Sequence, residues 1–126
     1  MLNRDDRQVE FGNWVEAVFG RNCALDVKER ATRVLEEACE LAQASNVGLD
    51  KVLDLVQHVY EKPAGKVGQE AGGLGVCLLA FCEAIGVSAD ELEQREFDRV
   101  TAHPLEHFRV RQNTKADAGV VLRVPA

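Results

Sequence analysis

Glu36, Glu37 and Glu40 stand together as E-E-x-x-E, and steps of three and four residues on a helix put carboxylates on adjacent turns of one face. Left unpaired, such neighbours repel, so the arrangement is either a solvated acidic face or a set of oxygen ligands waiting for a cation. These glutamates border an apolar arc made by Val27, Ala31, Val34, Leu35, Ala38, Leu41 and Ala42, and so lie at its edge instead of opposite it. Glu70 is a fourth carboxylate of interest. It precedes Leu74, Cys77 and Phe81 on one line of a segment that is otherwise almost free of charge, where an unpaired carboxylate would be costly. It is either a helix-start carboxylate favoured by the helix dipole or a second source of metal ligands. Two helices that each offer carboxylates can build a metal site in a bundle, and an all-oxygen donor set favours Mg2+, with Mn2+ as the alternative, over zinc.

The elements that must position these residues are helical. Phe11, Trp14, Val15 and Val18 recur at helical steps between Asp5 and Phe19, and Gly20 closes that element. Asp26 is a good N-cap for a helix running to about Ser45. Val52, Leu53, Leu55, Val56, Val59 and Tyr60 mark a shorter helix that ends before Pro63. A fourth helix is expected from about Lys66 to Ile85; it is apolar almost all round from Ala71, the pattern of a helix covered on several sides and central to the fold. Ser88 and Glu91 form a capping-box pattern that starts a fifth helix through Asp98 and toward Arg111, with His103-Pro104 bending or interrupting it. The segment from Asn113 to Ala126 reads as a short strand or a loosely docked arm. The expectation is an all-α bundle of four to five helices in a single domain over 1–126, with its core at about 26–111 and a short irregular tail at 112–126.

Composition narrows the function classes. The 126 residues suit one domain, and 46% hydrophobic with 29% charged residues is a folding composition. Fifteen Lys and Arg against 21 Asp and Glu leave a net charge of −6, which opposes binding to nucleic acid or to anionic membranes. The longest uncharged run, Ala71 to Cys82, falls short of the ~20 apolar residues that span a bilayer, and the first ten residues lack a signal-like apolar stretch, so a cytoplasmic location is expected. Cys23, Cys39, Cys77 and Cys82 lack metal or disulfide spacing and are expected as reduced, mostly buried thiols. His58, His103 and His107 are scattered, and no further ligands can be located that would make a zinc site of the last two. A small bundle with a nearly apolar helix commonly completes its burial by pairing, so a homodimer or homotetramer is expected.

The stretch Glu29 to Ala44, E-R-A-T-R-V-L-E-E-A-C-E-L-A-Q-A, followed by Lys62 to Gly73, K-P-A-G-K-V-G-Q-E-A-G-G, resembles the MazG-like all-α nucleoside triphosphate pyrophosphohydrolases. The similarity covers roughly Lys28 to Arg111. That family carries E-x-x-E, a spacer, then E-x-x-D; here Glu37 and Glu40 match the first half, Glu70 opens the second, and Gly73 stands in place of the Asp, as in an E-x-G-G branch. The resemblance implies a magnesium-dependent hydrolysis of nucleoside triphosphates to monophosphate and pyrophosphate that cleanses nucleotide pools. It implies Glu37, Glu40 and Glu70 as metal ligands, with Glu36 as candidate base. Lys62, Lys66, Arg99, Arg109 and Arg111 are the candidates for holding phosphate, and Phe11, Asn13 and Trp14 for holding the base. The departure at Gly73 keeps a second possibility open, a catalytically degenerate nucleotide-binding or oligomeric interaction module.

Overall fold

The computed structural model describes residues 1–124, and every regular element among them is an α-helix: α1 (Arg4–Phe19), α2 (Arg21–Leu25), α3 (Val27–Ala44), α4 (Leu49–Tyr60), α5 (Val67–Ile85), α6 (Ala89–Thr101) and α7 (Leu105–Asp117). The all-α expectation holds, but seven helices replace the expected four or five. Two local causes account for the difference. Gly20, at φ 87°, takes a backbone conformation that L side chains rarely adopt, and the chain restarts after it as the five-residue α2. Pro104 has no N–H to donate and caps α7, so of the bend or interruption expected at His103-Pro104 it is the interruption that occurs, and the expected fifth helix is two.

The start and stop signals work as their chemistry requires. Asp26 Oδ1 accepts from the Glu29 N–H at 2.9 Å, and Ser88 Oγ accepts from the Glu91 N–H at 3.2 Å. Gly86, at φ 73°, closes α5 in the left-handed region.

The chain divides into two compact units, Met1–Thr32 with the chain from Val87 onward, and Arg33–Gly86. In the first, α1 packs against α2, α6 and α7 as a small helical bundle. Val15, Val18, Cys23 and Val124 are its buried apolar residues. Phe11 stacks on Trp14 at 5.0 Å between ring centroids, and Trp14 meets Phe19 and Phe108 edge-on. Two buried charges pin the bundle. Arg7 on α1 is 3% exposed and donates to Glu93 at 2.9 Å, to Asp90, to Gln94 and to the Leu2 carbonyl. Glu29 is 4% exposed and accepts from Gln112 Nε2 at 2.9 Å and the Leu122 N–H at 3.1 Å.

That second anchor decides between the two readings of the C-terminal segment, strand or docked arm, in favour of the arm. Irregular chain begins only after α7 ends at Asp117, and no strand forms among the described residues. Leu122 to Val124 is a docked arm: the Val124 N–H donates to Asn113 Oδ1 at 2.8 Å, and Gln112 Nε2 donates to the Leu122 carbonyl at 2.6 Å. The expected tail positions 125 and 126 lie outside the described residues.

The second unit holds the rest of α3 with α4 and α5, and here the expectation of a covered central helix is overturned. Leu74, Val76 and Leu79 on α5 are 48, 62 and 53% exposed, and Cys82 is the one residue of that helix buried. No residue of α4 is buried. Apolar side chains all round a helix demand cover, but the pattern does not say that the same chain provides it. Cys39 and Cys77 are likewise exposed, while Cys23 and Cys82 are buried, so only half of the thiols meet the expectation of burial. No single described helix is long and apolar enough to cross a membrane.

Candidate metal centre

Helix α3 sets the geometry of the carboxylates. Glu36, Glu37 and Glu40 follow one another on the helix, and one oxygen from each lies within 4.8 Å of the other two. Glu36 is half-buried, whereas Glu37 and Glu40 are exposed. Oxygens that share one Mg2+ at about 2.0–2.1 Å sit ~3–4 Å apart, so small rotamer changes of exposed glutamates bring these three to ligand distance. Hard, anionic, oxygen-only donors with room for water match what Mg2+ takes from proteins. The donor set therefore fits the ion that the resemblance implies.

Arg33 borders this cluster, one turn before Glu36, and its Nη2 donates to Glu36 Oε1 at 3.0 Å. Its Nη1 is buried and has no hydrogen-bond partner among the described residues. A guanidinium beside three carboxylates offsets their repulsion. Sequence reasoning missed Arg33. The signal for it was the i, i+3 spacing from an arginine to a glutamate on one helix face.

Glu70 stands in the first turn of α5, where the helix dipole favours a carboxylate. Its side chain turns back over the preceding loop, and its Oε1 lies where a Cβ on Gly65 would stand. It is not part of the three-carboxylate group on α3. Lys62 and Lys66 flank Gly65 and are exposed, Lys66 as the N-cap residue of α5. Gly73, where the resembled family carries Asp, has open space around a built Cβ, so the position can hold a larger side chain.

The remaining candidates belong to the other unit. Arg109 spends all three guanidinium nitrogens locally: Nε donates to the Val18 carbonyl at 2.6 Å, Nη2 to the Ala17 carbonyl at 2.8 Å and Nη1 to Glu106 at 2.8 Å. It satisfies the last carbonyls of α1, which otherwise lack donors. Arg99 forks onto Glu96, with its Nε at 2.9 Å, and holds that carboxyl below its usual range through the hydrogen bond. Arg111 lies over Phe108, 6.0 Å from the ring centroid. Phe11 and Asn13 are exposed on α1; Trp14 is half-buried in the aromatic cluster, and its Nε1 is buried without a hydrogen-bond partner among the described residues.

Comparison of the chain with protein-family models, with curated proteins and with solved structures gives no match.

Proposed function

We propose that the chain is a magnesium-dependent nucleoside triphosphate pyrophosphohydrolase of MazG-like type, releasing nucleoside monophosphate and pyrophosphate in the cytoplasm and serving to cleanse nucleotide pools. The observation that carries the reading is the convergence of Glu36, Glu37 and Glu40 oxygens on one face of α3. Glu37 and Glu40, with Glu70 from the start of α5, are the residues that would hold Mg2+, or Mn2+ in its place. The ion, when bound, supplies positive charge to the triphosphate oxygens and polarises the phosphorus that is attacked.

The chain's own residues do the rest. Glu36 orients a water and takes its proton as the water oxygen bonds to the α-phosphorus and the bond from that phosphorus to the α–β bridging oxygen breaks, with pyrophosphate leaving. Arg33 holds Glu36 by their 3.0 Å contact. Lys62 and Lys66 add charge from the loop before α5.

Self-association is part of the same proposal. Large apolar side chains left in water are a liability when they are many, and on α4 and α5 Leu53, Leu55, Val59, Val76 and Leu79 are each more than half exposed. Helix α5 also carries Gly68, Gly72, Gly73 and Gly75, each costing ~1 kcal/mol of helix propensity relative to Ala. Such a helix depends on packing for its stability, and a homodimer or homotetramer supplies it.

Gly73 favours a second reading, a degenerate nucleotide-binding or interaction module. The test is pyrophosphate release from a panel of canonical and modified nucleoside triphosphates with Mg2+, with Mn2+ and with chelator, using Glu37→Ala as the blank. Metal-dependent release that vanishes in the blank supports the enzyme. No release from any substrate, together with a large gain in Gly73→Asp, establishes the degenerate module.

A further inference from the structure

The corner between α6 and α7 gathers positive charge in an acidic chain. His103 and His107 stack with ring centroids 4.5 Å apart and planes 11° from parallel. Phe108 meets both rings edge-on, at 5.6 and 4.7 Å, and carries Arg111 over its face. The stack is fixed from two sides: Pro104 sets the turn into α7, and Phe108 is itself held edge-on against Trp14 at 5.3 Å.

The acidic side chains of this corner are committed elsewhere. Glu96 on α6 pairs with Arg99, and Glu106 on α7 pairs with Arg109. Among the described residues, His103, His107 and Arg111 have no carboxylate partner, although the chain has 21 Asp and Glu to draw on. Partial burial first, and then the positive charges of His103, Arg111 and Arg99, push the His107 imidazole below the usual histidine range. Trp14, the α1 residue facing Phe108, brings no charge to offset them.

We propose that His103, His107 and Arg111 form an anion site at the α6–α7 corner that takes a phosphate group, either as free phosphate or on a small nucleotide. Two stacked imidazoles resist double protonation because like charges would lie within about 5 Å. A bound tetrahedral dianion removes that resistance and accepts hydrogen bonds from both rings and from the guanidinium. Binding therefore takes up protons. The site needs nothing of the α3 carboxylates, so Glu37→Ala protein retains it, and its failure leaves the hydrolase reading untouched.

The test is anion binding to the full chain at constant ionic strength, read by NMR titration of the histidine ring protons. Sulfate is the first probe, because its charge does not change between about pH 5.5 and 8. Saturating sulfate is expected to move the His103 and His107 midpoints upward by about half a unit each, which together correspond to roughly tenfold tighter binding below the histidine range than above it. His58, on α4, serves as the internal control and keeps its midpoint. His107→Gln and Arg111→Gln each lose sulfate binding about tenfold with unchanged Trp14 emission, which separates loss of the site from loss of the fold. Phosphate and a nucleoside monophosphate then distinguish the two sources: equal affinity assigns free phosphate, and a tighter nucleotide assigns the nucleotide. Superimposable histidine titrations with and without sulfate, or a His107→Gln chain that binds as the parent does, overturn the proposal.

Discussion

The Glu29 carboxylate accepts a hydrogen bond from the backbone N–H of Leu122, 93 residues further along the chain, at 3.1 Å. With Gln112 Nε2 on its other oxygen, this buried acceptor ties the start of α3 to the C-terminal arm. An acidic residue in the first turn of a helix is ordinarily a surface group that complements the dipole, and here it also bonds across the bundle.

Glu29→Ala removes the acceptor and strands two donors in a closed environment. Leaving a buried donor unmet costs about 1–3 kcal/mol, so urea unfolding followed by Trp14 fluorescence should show a loss of ~2 kcal/mol, with Glu29→Gln losing less. A loss below about 0.5 kcal/mol, the scale of ordinary surface substitutions, would mean that water replaces the carboxylate.

His107 gives the first unit a pH dependence of definite sign. Its folded-state pKa is lowered by partial burial and by the charges of His103, Arg111 and Arg99. The unfolded chain thus binds the proton more readily, and stability is full above the unfolded histidine range. As pH falls through that range toward the folded value, stability is lost, and below it the penalty stays constant. Thermal unfolding measured between about pH 8 and 5 should show a falling midpoint that flattens in His107→Gln. An equal fall in the variant would assign the effect to other groups.

Local chemistry made much of this readable from sequence. Asp26, Ser88 and Gly86 punctuate helices where their hydrogen-bonding and backbone preferences say they should, and the i, i+1, i+4 spacing alone brings Glu36, Glu37 and Glu40 together. Helix α2 was not readable, since five residues are too few to show a period. Arg7 and Glu29 were missed for a different reason: a charged residue is read as surface unless its partner is known, and both partners lie more than 80 residues away. Likewise α5 announces a need for cover without naming its source. Glu70 and the basic candidates depend on loop and tertiary placement, which spacing along one helix does not encode.

Metal binding can be separated from folding at the carboxylate cluster. Glu37 and Glu40 are exposed, so Glu37→Ala and Glu40→Ala should change stability by no more than about 0.5 kcal/mol, and relief of carboxylate repulsion can make them slightly more stable. Each should weaken Mg2+ binding in calorimetry by tenfold or more if it contributes a ligand. Gly65→Ala offers a gentler probe of Glu70, because the new methyl group displaces only the flexible end of that side chain. It should leave the melting temperature intact and still weaken Mg2+ binding. Full affinity in all three variants would make the cluster a solvated acidic face.

The exposed surface of α5 carries the last prediction. Burying apolar area contributes roughly 25 cal/mol per Å2, so a helix that leaves Leu74, Val76 and Leu79 about half exposed or more forgoes much of the stabilisation its sequence can supply. A second copy of the chain would recover it, and a charge buried there would forbid it. If the proposed oligomer forms through this surface, Leu79→Glu converts it to a monomer of 13.9 kDa in sedimentation at micromolar concentration. Because Leu79 lies in the unit Arg33–Gly86, the Trp14 cluster of the other unit should keep its emission, which distinguishes dissociation from unfolding. If the parent itself sediments as a monomer with α5 helical, packing between copies is not what holds this helix, and the self-association part of the proposal falls.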